Sequence, residues 1–168
     1  MTVAVGEAIP DVTLKAVDGE VREVSTGALF RGRDAVLFSV PGAFTPTCSS
    51  RHLPGYVAHF GEFRRRGIDV ACMAVNDAHV MAAWARDQKV PPGLTMLADG
   101  NGAFASALGL VLDARAFGMG MRSRRFALYA EDGVAKVLNV EAPGELRVST
   151  AEAMLAAIDQ FRGARNRD

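Results

Sequence analysis

The 168-residue chain has 49% hydrophobic and 23% charged residues, a balance that supports one packed domain and argues against disorder. Lysine plus arginine equals aspartate plus glutamate at 19 each, so no overall basic field exists to hold nucleic acid or an anionic membrane. The start, MTVAVGEAIPDV, lacks the regions of a signal peptide, no apolar run approaches a membrane span, and two cysteines do not make a secreted disulfide scaffold, so a reducing, cytoplasmic setting is expected.

VTLKAVDGEVREVS (12–25) is two alternating runs around Asp18-Gly19, a hairpin signal. DAVLFSV (34–40) is a continuous apolar run and reads as a buried central strand. From about Thr45 to Gly67, Leu53, Val57, Phe60 and Phe63 recur near helical spacing, and Arg64 to Arg66 suit a helix C-terminus. IDVACMAV (68–75) is a second buried strand. NDAHVMAAWARDQ (76–88) reads as a helix with Asn76 and Asp77 as cap candidates. LTMLAD (94–99) is a third strand, and NGAFASALGL (101–110) a short helix. RRFALYAEDGVAKVLNVE (124–141) is two strands around Asp132-Gly133. Ser149 with Glu152 predicts a capping box that opens a last helix to about Arg162. Alternating strands and helices followed by an antiparallel pair imply one α/β domain over residues 1–168. The expected architecture is a thioredoxin-like fold, a mixed central sheet flanked by helices, with an N-terminal β-hairpin.

Within that order, PGAFTPTCSS (41–50) places Cys48 at the start of a helix that directly follows a buried strand. The carboxyl ends of such strands are where ligands bind. A helix N-terminus favours an anion, so a thiolate there is stabilised. Pro46 suits a first turn, Pro41 and Pro46 stiffen the loop, and the Thr45 hydroxyl can both donate and accept. An ordinary thiol with pKa ~8.5 is ~3% ionised at pH 7. Lowering the pKa to ~6 raises the thiolate roughly 30-fold, and falling nucleophilicity gives back about 10- to 20-fold. Acidity alone therefore adds little rate. A fast reaction at Cys48 needs donors that stabilise the transition state. MRSRRF (121–126) is the evident source of a cation. If 124–129 is a strand, Arg124, Phe126 and Leu128 share one face, and Arg125, Ala127 and Tyr129 the other. Periodicity does not choose between those faces. Pro54 removes an amide and crowds the Ser50 carbonyl, so the segment carrying Cys48 is expected to be short and able to unwind locally.

PGAFTPTCSSRHLPGY resembles the active-site segment of peroxiredoxins of the type II, peroxiredoxin-5 group. Its P-x-x-x-T-x-x-C pattern falls on Pro41, Thr45 and Cys48. AVNDAHVMAAWA (74–85), LADGNGAFASALGL (97–110) and RSRRFALYAEDG (122–133) fit in register. The resemblance implies a thiol peroxidase that acts on hydrogen peroxide and alkyl hydroperoxides without metal, haem or flavin. Cys48 is then the peroxidatic cysteine, Thr45 holds the peroxide, Pro41 shields the site and Arg125 stabilises thiolate and transition state. The implied reductant is glutaredoxin with glutathione, or thioredoxin, and a homodimer is implied because homodimers are common in the group. Some relatives carry a resolving cysteine near the C-terminus, but 139–153 here has none, and Ser149 lies near that place. Cys72, 24 positions after Cys48, stands about where plant-like members have a second cysteine. It is either a core residue or a resolving partner. A peroxide sensor using the same cysteine is the alternative function. A disulfide oxidoreductase wants C-x-x-C, and Arg51 occupies the position that motif requires. His52 is expected to pack or hydrogen-bond. His59 and His79 read as ordinary helix residues, Met119 and Met121 as loop or interface residues, Trp84 as core or interface, and Arg122 and Arg124 as surface or structural.

Overall fold

The apolar runs become the strands of a seven-stranded mixed sheet in a computed structural model that describes residues 1–166. The predicted hairpin is β1 (Thr13–Asp18) and β2 (Glu20–Ser25), turned by Gly19 at φ 79°, a value that favours glycine. Helix α1 (Thr26–Phe30) follows. The central runs form β3 (Asp34–Ser39), β4 (Ile68–Ala74) and β5 (Leu94–Ala98), mutually parallel and buried on both faces. The last pair is β8 (Phe126–Glu131) and β9 (Val134–Val140), antiparallel to each other, with β8 antiparallel to β3. The order across the sheet is β2-β1-β5-β4-β3-β8-β9.

Helices α4 (Ala78–Asp87) and α6 (Ala151–Arg165) cover one face together with the segment after Cys48; α1 and α5 (Ala103–Leu108) cover the other. Strand alternation assigns the two cores. Ala127 and Tyr129 of β8 join Cys48, Cys72, Tyr56 and Trp84, whereas Phe126 and Leu128 join Phe104 and Leu108. This settles the choice that periodicity left open.

Several expectations need correction. The helical run expected over about 45–67, interrupted at Pro54, is divided twice, into a π-helical turn (Cys48–His52), α2 (Leu53–Ala58) and α3 (Phe60–Arg65). Pro54 explains the first break. It has no N–H for the Ser50 carbonyl, and the Leu53 N–H reaches back to the Cys48 carbonyl, widening the turn. The last helix is capped by Thr150, which accepts from the Ala153 N–H, not by Ser149. Ser149 is buried and turned to Glu141, while Glu152 bonds His59 Nε2 at 2.8 Å. The strand expected from 124 begins at Phe126, so Arg124 and Arg125 precede it. A small second sheet, β6 (Val111–Asp113) with β7 (Met121–Ser123), has no counterpart in the reading of the sequence. Among the described residues, no helix is long and apolar enough to cross a membrane.

Candidate active site

The loop after β3 is held from several sides. The Gly42 carbonyl accepts the Thr45 hydroxyl at 2.6 Å, and the Ala43 N–H donates to Asn76 Oδ1 at 2.9 Å, just beyond β4. Asn76 therefore ties the loop, and Asp77 alone caps α4. A side chain at Gly42 would crowd Arg122, Thr45 and Met119, with contacts of 3.0 to 3.2 Å. Phe44 has φ 63°, a left-handed conformation uncommon for an aromatic residue, and its side chain is 52% exposed. Such an outlier persists only where neighbours over-determine it, and it sits beside Thr45.

Cys48 is fully buried at the head of the π-helical turn. Arg125 Nη2 donates to its Sγ at 3.1 Å, and Arg125 Nη1 donates to His52 Nδ1 at 2.8 Å. A guanidinium has no acceptor, so His52 Nδ1 must carry the lone pair. Its proton is then on Nε2, which donates to the Ser149 carbonyl at 3.0 Å. Burial lowers the His52 pKa to about 4, and the Arg125 charge adds to the effect. His52 is thus neutral and fixes one arm of the fork while the other arm meets sulfur. The Ser149 carbonyl also accepts the Tyr56 hydroxyl at 2.7 Å, and Tyr56 stacks on Phe38 of β3 with ring centroids 3.8 Å apart. These contacts dock the turn on the sheet.

Arg125 also lines a cavity of about 490 Å³, together with Pro41, Thr45, Leu112, Phe117 and Met119. The cavity is therefore lined by the residue whose guanidinium touches Sγ. The Thr45 proton is directed at Gly42, which leaves the hydroxyl lone pairs for an incoming O–H. The Arg122 Nη1 donates to the Pro41 carbonyl at 3.4 Å and its Nε to the Met119 carbonyl at 2.7 Å, a structural role.

Comparison with known proteins bears on this geometry. Residues 4–155 match the Redoxin family model. The chain belongs to the Redoxin family and is a peroxiredoxin. It is 49% identical over 163 residues to the chloroplastic Peroxiredoxin-2E of Arabidopsis thaliana, covering 94% of this chain and 70% of that one. It is 44% identical to Peroxiredoxin-2C of Oryza sativa subsp. japonica, covering 93% and 98%. The crystal structure of reduced Prx3 from Vibrio vulnificus in complex with H2O2 is similar with TM-score 0.89 and 44% identity, covering 96% and 99%. The thioredoxin-like fold expected from the sequence is the fold found.

In this peroxiredoxin, Pro41, Thr45 and Arg125 converge on one cavity, and Arg125 reaches Cys48. Neither cysteine is among the residues that line the cavity, and Cys72 has no contact with Arg125 of the kind Cys48 has. It is fully buried in mid-strand, paired with Phe38 and Met96 on either side, and free, as is Cys48. Burial pushes its thiol well above the ordinary range, and the Cys48 charge adds to this. Reading the sequence missed Glu141 and Ser149 behind His52. Glu141 carries no motif and Ser149 reads as a helix cap; the Glu141 N–H meets the Arg125 carbonyl at the end of the β8–β9 pair, and the Glu141 carboxylate then holds Ser149. It also missed that the Trp84 indole N–H donates to Ser49 Oγ at 3.0 Å.

The depressed His52 pKa has a consequence for stability. An unfolded histidine titrates near 6.5, so between about pH 4 and 6.5 the unfolded chain holds a proton that the folded chain does not. Stability therefore rises with pH across that window and is flat above it for this group, by about 3 kcal/mol in all. His52→Asn is expected to flatten that limb. Denaturant unfolding at several pH values between 4 and 7 measures it, and an unchanged slope contradicts a buried neutral His52.

Proposed function

We propose that the chain reduces hydrogen peroxide and small organic hydroperoxides at Cys48 and is regenerated by glutaredoxin with glutathione, or by thioredoxin. The observation that carries this reading is the Arg125 guanidinium, 3.1 Å from Sγ, on a residue that lines the cavity with Thr45 and Pro41. The Cys48 thiolate attacks one peroxide oxygen, an S–O bond forms and the O–O bond breaks. The departing oxygen takes a proton and leaves as water or an alcohol, and Cys48 remains as a sulfenic acid. Thr45 accepts from the peroxide O–H, Arg125 stabilises the charge that moves from sulfur to oxygen, and Pro41 shields the sulfur. A reductant thiol then attacks the sulfenic sulfur, water leaves, and a second thiol resolves the mixed disulfide. No metal or cofactor enters these steps.

We favour an external thiol over a Cys48–Cys72 disulfide. Cys72 is hydrogen-bonded into the middle of the sheet, and its buried thiol ionises poorly. Cys72→Ser is expected to leave peroxide turnover with glutaredoxin plus glutathione, or with thioredoxin, unchanged. A mass measurement after one equivalent of peroxide is expected to find sulfenic acid. Loss of turnover in the variant, with an intramolecular disulfide in the wild type, would reverse the assignment.

A homodimer belongs to the same proposal. Phe44, Phe117 and Met121 are 52%, 80% and 53% exposed, and Phe117 lies at the cavity wall. A second copy would cover this apolar rim, and sedimentation at micromolar concentration is expected to give twice the monomer mass.

A further inference from the structure

Glu141 follows β9 and is 4% exposed, a rare burial for a carboxylate. Its oxygens accept from the N–H groups of Arg147, Val148 and Ser149 at 2.8 to 3.0 Å and from Ser149 Oγ at 2.6 Å. Burial alone raises its pKa, but these donors outweigh burial and hold it below the ordinary value. The carboxylate therefore stays charged and fixes the 147–149 turn. That turn presents the Ser149 carbonyl to His52 Nε2, and His52 Nδ1 in turn receives Arg125 Nη1. The main chain of Glu141 acts on the same target from the other end, because its N–H donates to the Arg125 carbonyl at 3.0 Å.

We propose that Glu141 is a positioning residue for the reaction at Cys48, holding Arg125 by its backbone directly and by its side chain through Ser149 and His52. The proposal rests on the peroxidase reading above. Only the second route passes through the carboxylate, so it is open to substitution without moving the main chain. A fork positioned through two intermediates points its free arm at sulfur rather than at solvent. The carboxylate itself is turned to the 147–149 turn, and its role is exerted through other groups.

The test is a double-mutant cycle on the full-length reduced protein. The second-order rate with hydrogen peroxide and the pH titration of ultraviolet thiolate absorbance are measured for wild type, Glu141→Gln, His52→Asn and the double variant. Glu141→Gln is expected to lower the rate about 10-fold or more and to move the thiolate titration to higher pH. In the His52→Asn background the same change is expected to cost less than about twofold, because the route it acts through is already cut. Equal losses in both backgrounds would mean a merely structural carboxylate and would overturn the proposal, as would no loss in either. If Glu141→Gln fails to fold, Ser149→Ala removes one of the same bonds, and its effect must likewise vanish beside His52→Asn. A wild type that reacts no faster than free cysteine sinks the peroxidase reading itself. A fast wild type with an uncoupled Glu141 sinks only this inference.

Discussion

Cys48→Ser is expected to reduce peroxide turnover to the uncatalysed rate with any thiol reductant. A serine hydroxyl at this position is not ionised near neutral pH and does not form the S–O bond the reaction needs. The second cysteine offers no substitute. Cys72 is fully buried and its thiol is pushed well above the ordinary range, whereas the Arg125 guanidinium donates to Cys48. The variant is expected to fold, since serine is nearly isosteric with cysteine and Arg125 Nη2 can donate to its oxygen. Turnover resolved above the protein-free background would show that Cys48 is not the sole nucleophile.

Arg125→Ala is expected to lower the second-order rate with peroxide by about 10²- to 10³-fold, the usual loss when one preorganised donor is removed. Ionisation alone does not account for a loss that large. Fewer thiolates and greater nucleophilicity nearly cancel, and leave about a two- to threefold change. The comparison to make is the rate per thiolate, with the thiolate fraction of each variant measured by absorbance. A rate that merely tracks that fraction would remove the transition-state role. Arg125→Lys is expected to fall between the two, because an ammonium lacks the fork that serves Cys48 and His52 together. The alanine variant also leaves His52 Nδ1 buried without a donor, at a cost of about 1–3 kcal/mol, so its melting is measured alongside.

Much of this architecture was legible because local signals agreed with one another. The continuous apolar runs at β3, β4 and β5 suit strands covered on both faces, and Asp18-Gly19 and Asp132-Gly133 marked both hairpins. Cys48, Thr45 and Pro41 were legible because they lie in one short stretch. Arg125 was reached through the family resemblance, and its side of the sheet emerged only from strand register. Pro54 was read as a helix breaker. The chain instead answers with a π-helical turn, since Leu53 has an amide to offer and α2 is anchored by the Tyr56–Phe38 stack. The Ser149 cap failed because a serine next to a threonine gives two equivalent starts. Glu141 claims the Ser149 hydroxyl, leaving Thr150 for the helix. Strands β6 and β7 are three residues each, too short for any alternation to register.

The central claim is that Cys48 lies in surroundings built to break an O–O bond. Its most direct test is stopped-flow oxidation of the reduced wild-type protein by one equivalent of hydrogen peroxide. The single tryptophan, Trp84, bonds Ser49 beside Cys48 and supplies the fluorescence signal. The account predicts oxidation at least ~100-fold faster than free cysteine at the same pH, the factor that a single preorganised donor supplies. One oxygen is expected on Cys48 by mass. A rate close to that of free cysteine, or an oxygen found on another residue, would contradict it.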